Sequence, residues 1–113
     1  MDDYNTLHIE SLKYIQNALA KKSNNKSIVV THHAPTFVNY PPKYINSNIN
    51  EAFATNLTSL IEDSNIDYWI YGHHHSNIGD FQIGNTKLVT NQLGYVKYNE
   101  NAGYSNKAII SLL

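Results

Sequence analysis

The sequence predicts an α/β fold on three observations. Two stretches have the apolar spacing of amphipathic helices, two β-branched or aromatic runs are short enough to be buried strands, and a Gly-Asn pair joins two further strand-like segments. The first helix covers Thr6 to Ala20, where Leu7, Leu12, Ile15, Ala18 and Leu19 recur at intervals of a few residues with Lys13 and Gln16 between them. Lys21 to Lys26 is a polar, Asn-rich exit. Ile28-Val29-Val30-Thr31 reads as a buried strand, and it runs into His32-His33-Ala34-Pro35, where proline forbids ladder pairing. Thr36 to Asn50 holds two adjacent prolines, three aromatics and four asparagines without a clear period, the composition of a long loop over a functional site. A second helix begins at Glu51 with Asn50 as N-cap and carries Phe53, Leu57, Leu60 and Ile61 to about Ser64. Tyr68-Trp69-Ile70-Tyr71 is the next buried strand, ended by Gly72. Asp80 to Ile83 and Thr86 to Thr90 form a hairpin through Gly84-Asn85, and Ala108 to Leu112 is expected as a fifth short strand. The strand, helix, strand unit is parallel with a right-handed crossover if it lies in one sheet.

At 113 residues the chain suits one modest core. Eight Lys and Arg against nine Asp and Glu give a net charge of -1. There is accordingly no basic tract of the kind that binds nucleic acid or an acidic membrane surface. With no cysteine, disulfides and thiolate metal sites are excluded, and any metal is held by nitrogen and oxygen. The Met1-Asp2-Asp3-Tyr4 start has neither a basic nor an apolar signal region, and no run of about 18 apolar residues occurs. The expectation is a soluble chain without a membrane segment or export signal, cytoplasmic if complete as written.

Two histidine groups follow the two buried strands: His32-His33 after the first and His73-His74-His75 after the second. Parallel neighbouring strands bring their carboxyl ends to one edge, the edge at which open α/β sheets hold ligands. In an extended segment residues i and i+2 point the same way, so His73 and His75 are expected to address one cluster while His74 points elsewhere. His32, His73 and His75 are therefore the metal-ligand candidates. His33 and His74 are candidates for supporting the ligands or contacting substrate, and His8 is an ordinary helix-surface histidine.

The run Val29-Val30-Thr31-His32-His33-Ala34-Pro35 followed by Tyr71-Gly72-His73-His74-His75 resembles the last two metal-binding motifs of the calcineurin-like phosphoesterases. Asn91-Gln92-Leu93-Gly94-Tyr95 is similar to the Asn-x-x-Gly-Tyr segment that follows Gly-His-x-His in many members, which marks Asn91 and Tyr95 as substrate-contact candidates. The resemblance implies the carboxy-terminal half of an α/β/β/α sandwich, here with two helices and about five short strands, so that residues 1–113 form a single incomplete domain. It further implies a phosphomonoesterase or phosphodiesterase site acting on a small phosphoester or a nucleotide. Two divalent cations such as Mn, Fe or Zn would hold the phosphate and activate water for in-line attack. His32 and His73 would serve one metal position and His75 the other, with His33 or His74 contacting phosphate or protonating the leaving group.

The family's amino-terminal motifs, Asp-x-His, Gly-Asp with a bridging aspartate, and Gly-Asn-His, have no counterpart here. Asp80 follows Gly79, but after the histidine motif and so out of the family's order. Three neutral imidazoles bring no charge against the +4 of a dinuclear cluster, and only a bridging carboxylate or hydroxide can keep two cations so close. At most one divalent ion is therefore expected in this chain alone. Surfaces that the carboxylate half would cover are expected to promote self-association. The alternative to a hydrolase half-site is a non-catalytic module that binds one metal ion or a partner.

Overall fold

The computed structural model describes residues 2–21, 25–38 and 56–112. Helix α1 spans Asp2–Ala20 and helix α2 spans Thr58–Asp63. The strands are β1 (Ile28–Val30), β2 (Tyr68–Ile70), β3 (Phe81–Ile83) and β4 (Thr86–Val89), followed by a short 3-10 turn, η1, at Val96–Tyr98. The expected start of the second helix at Glu51, and most of the expected Thr36 to Asn50 loop, lie outside the described residues.

The four strands form one sheet in the order β1-β2-β4-β3. β1 and β2 pair in parallel with Val29 opposite Trp69, β2 and β4 pair in parallel with Trp69 opposite Leu88, and β3 and β4 form the antiparallel hairpin. Ile83 faces Thr86 across its turn, and Gly84 takes the left-handed conformation (φ 57°) that a two-residue hairpin requires of its first central residue. The sheet is thus mixed, with β2 and β4 inside and β1 and β3 at the edges.

Trp69 sits at the centre of β2, fully buried with Ile61 of α2, Ile66 and Leu88. An indole in such a place needs a partner for its N–H, and Nε1 donates to Thr31 Oγ1 at 2.9 Å. The Thr31 hydroxyl in turn donates to the His33 carbonyl at 2.7 Å, which links the core to the first histidine loop. Thr86, also fully buried, donates its hydroxyl to the Ile66 carbonyl at 2.7 Å. At the start of β1 the Asp67 carboxylate accepts from the Ser27 N–H at 2.8 Å, fixing the register at the amino end of the parallel pair.

Two features differ from the sequence expectation. Ala108 to Leu112 is not a strand: these residues have no regular structure and are exposed, Ile109 at 90%. A β-branched run becomes a strand only where a ladder accepts it. Among the described residues this one is anchored by the Tyr68 hydroxyl donating to the Ser111 carbonyl at 3.2 Å. The second difference is the start of α1, at Asp2 rather than Thr6, and the helix is loosely seated. Leu12, Ile15 and Leu19 turn towards the sheet but stay half-buried, while Leu7 and Tyr14 are mostly exposed. An open cavity of about 1040 Å³ separates α1 from β1, running from Leu19 past Val29 to His32 and His33. Among the described residues no helix is long and apolar enough to cross a membrane.

Candidate metal centre

The parallel pairing of β1 and β2 continues past the assigned strands. Thr31 N–H donates to the Ile70 carbonyl at 2.9 Å, and Gly72 N–H donates to the His32 carbonyl at 3.0 Å. This extension sets the two histidine loops side by side at the carboxyl edge of the sheet. His73 Nδ1 and His32 Nε2 are 2.9 Å apart and share a hydrogen bond. The His33 ring lies 4.6 Å from that of His73 and 4.9 Å from that of His32, centroid to centroid. His32, His33 and His73 each offer one ring nitrogen such that all three lie within 4.8 Å of one another, the arrangement that can hold a metal ion among the described residues.

His33 is therefore grouped with His32 and His73, and His75 is not one of these three nitrogens. The alternation expected of an extended segment does not apply, because His73 (φ 76°) and His75 (φ 51°) both adopt the left-handed conformation. For a non-glycine residue that conformation costs on the order of 1–3 kcal/mol and persists only where the surroundings fix it. Here His74 N–H donates to the Gly72 carbonyl at 3.1 Å and His75 N–H donates to Gln92 Oε1 at 2.7 Å. Gln92 is itself fixed, since its N–H donates to Asn77 Oδ1 and its side-chain amide donates to Thr90 Oγ1 and the Ser76 carbonyl. His75 Nδ1 lies 3.4 Å from Glu100 Oε1, and the His75 ring meets Tyr95 edge to face at 4.9 Å.

His74 is buried, 4% exposed, in a crevice with Ala34, Pro35, Tyr71 and Phe81. Asn91 is committed at both ends of its amide, donating to the Ser105 carbonyl at 2.7 Å and accepting from the Ser105 N–H at 2.9 Å. Tyr95 is more than half exposed beside His75. Sequence reasoning missed Glu100, a lone acidic residue in an Asn- and Gly-rich tail that gives no periodic signal, and it gave no role to Gln92 or Thr31.

The electrostatics suit neutral imidazoles. Partial burial, then His32 and His8, push the His33 pKa below the ordinary imidazole value. His73 is lowered by burial and by His33, His32 and His75. A ring that is neutral carries the lone pair that a cation needs. The set of three nitrogens without a carboxylate fits one divalent cation with borderline preferences, Zn²⁺ being the type example.

The profile of the calcineurin-like phosphoesterases matches residues 2–77, from α1 through both histidine loops. The chain belongs to the calcineurin-like phosphoesterase family. An uncharacterized protein of Acanthamoeba polyphaga mimivirus is 42% identical over 102 residues, a match that covers 84% of this chain and 35% of that protein. The chain thus spans about a third of the length of the curated relative it matches. No solved structure matches it significantly.

Proposed function

We propose that this chain supplies the histidine half of a divalent-cation centre that hydrolyses a small phosphoester or nucleotide, and that the carboxylate half comes from sequence outside these 113 residues. The observation that carries the reading is the convergence of His32, His33 and His73 to within 4.8 Å at the carboxyl edge of two parallel strands. The size of the mimiviral relative supports a longer parent. A bound divalent cation would supply Lewis-acid polarisation of a phosphoryl oxygen. The chain's own part is to keep these imidazoles neutral and to fix them on paired backbone. His75, held a short distance along the same loop, serves a second cation position once carboxylates are present. His74 supports the loop from inside, and Tyr95 offers a ring face beside His75 for the organic part of the substrate.

Calorimetric titration of the chain with Zn²⁺ or Mn²⁺ tests the half-site, with about one ion per chain expected and no binding counting against it. The chain extended by its upstream coding sequence should hydrolyse p-nitrophenyl phosphate or its bis-ester, whereas the chain by itself should not. The absence of a carboxylate from the three-histidine group favours a second reading, a single-metal module without turnover. That reading predicts one ion per chain and no hydrolysis in the extended protein even with Mn²⁺ in excess.

A further inference from the structure

His75 is the histidine of the Gly-His-x-His run that stands outside the three-nitrogen group, and a separate piece of architecture surrounds it. The Tyr95 ring packs edge to face with its ring, and the chain then turns through η1, where Asn99 takes a left-handed conformation (φ 58°) and Glu100 N–H returns to the Tyr95 carbonyl at 3.3 Å. This turn aims the Glu100 side chain back at its own start. Glu100 Oε1 accepts the Tyr95 N–H at 2.8 Å, and the same oxygen lies 3.4 Å from His75 Nδ1. The carboxylate side chain is only 19% exposed.

The approach depends on Gly94. Its φ is 64°, and a Cβ placed there would come within 2.5 Å of Glu100 Cβ and 3.2 Å of His75 Cβ. Glycine is thus the residue that lets the histidine and the glutamate meet. On the other side, the His75 N–H is pinned by Gln92 Oε1 and the ring edge by Tyr95, so backbone, ring plane and Nδ1 are each held by a different neighbour.

We propose that Glu100 is a positioning residue for His75: its carboxylate accepts the Nδ1 proton, fixes the ring in that tautomer, and leaves the Nε2 lone pair as the one presented to a cation. A carboxylate behind a ligating histidine sets the ring's orientation and raises its basicity. The inference rests on the reading of His75 as a cation ligand. It places the support for that ligand in the tail after residue 77, beyond the stretch that the family profile matches.

The test is the ring tautomer, which needs no metal and no turnover. Long-range nitrogen-proton correlation spectra of the ¹⁵N-histidine-labelled chain, recorded at about pH 9 so that free imidazole is neutral, should show His75 protonated at Nδ1 and bare at Nε2. Glu100→Gln, which keeps an acceptor oxygen, should preserve that pattern. Glu100→Ala should move His75 towards the Nε2–H form that predominates in free imidazole. A wild-type His75 protonated at Nε2 overturns the proposal, and this measurement stands even if the alanine variant fails to fold. An Ala variant with a native amide spectrum and an unchanged Nδ1–H tautomer also overturns it. Zn²⁺ titration of His75 in the chain extended by its upstream coding sequence, where carboxylates complete the second position, should weaken by about 10- to 100-fold in Glu100→Ala and recover in Glu100→Gln. If wild-type His75 in that extended chain never responds to Zn²⁺, the ligand reading fails, while the tautomer still decides what Glu100 does.

Discussion

His73 combines three unusual properties: a left-handed backbone, a ring nitrogen 2.9 Å from another histidine, and a lowered pKa. The left-handed backbone is a cost to the free chain, and the three together hold a nitrogen donor group in place before any cation arrives. His73→Ala should weaken Zn²⁺ binding by more than the roughly 10- to 100-fold that loss of an outer supporting partner costs, and His8→Ala should leave the stoichiometry unchanged; calorimetry checks both. The pH dependence follows from the direction of the shifts. His33 and His73 have folded pKa values below their unfolded value of about 6.5, so in that window the unfolded chain binds more protons than the native one. The stability and metal affinity they confer are therefore present above about pH 6.5 and are lost as pH falls through the lower folded values. Thermal melts and metal titrations between pH 5 and 8 should decline together towards the acid side. Gly94→Ala should cost about 1–3 kcal/mol from the backbone conformation alone, with the clash against Glu100 in addition, measurable by urea unfolding.

At the scale of elements, both strand-end histidine loops were legible in the sequence, because Ile28 to Thr31 and Tyr68 to Tyr71 are bounded by turn-formers and the Gly84-Asn85 pair closes its hairpin as such pairs do. What escaped depended on tertiary context. Ala108 to Leu112 has strand propensity and no ladder partner, and the i, i+2 argument for His73 and His75 assumed an extended backbone that the bend after Gly72 removes. The grouping of His33 with His73 and the approach of Glu100 to His75 follow from register and turn geometry, which single-sequence periodicity does not encode. Trp69 ties these elements together. Trp69→Ala should remove about 3–5 kcal/mol, a large share of what a domain of this size possesses, and broaden or abolish the cooperative thermal transition seen by circular dichroism.

The described residues form a flat body, 44 by 40 by 20 Å, with a radius of gyration of 14.8 Å. Among the described residues β1 has a strand on one side only, and Val30 is 69% exposed and Ile28 39%. An uncovered apolar edge strand is a template for pairing with another chain. We therefore expect concentration-dependent self-association in light scattering, reduced by Val30→Lys, with metal stoichiometry unaltered. At the alkaline end, burial and the Asp80 carboxylate push Tyr71 up to about 12, so its contribution to stability holds below about pH 10 and is lost as pH rises through 12.

The hydrogen-bond relay from the Trp69 indole through the Thr31 hydroxyl to the His33 carbonyl has a practical corollary. The chain contains one tryptophan, and it sits in the core with its N–H one side chain removed from the histidine loop. Its emission is therefore expected to report on that loop, since a cation held by His32, His33 and His73 would change the polarity around the indole. Fluorescence of the unlabelled protein can follow occupancy of the site in real time, and Thr31→Val, which cuts the relay while conserving shape, should silence the signal.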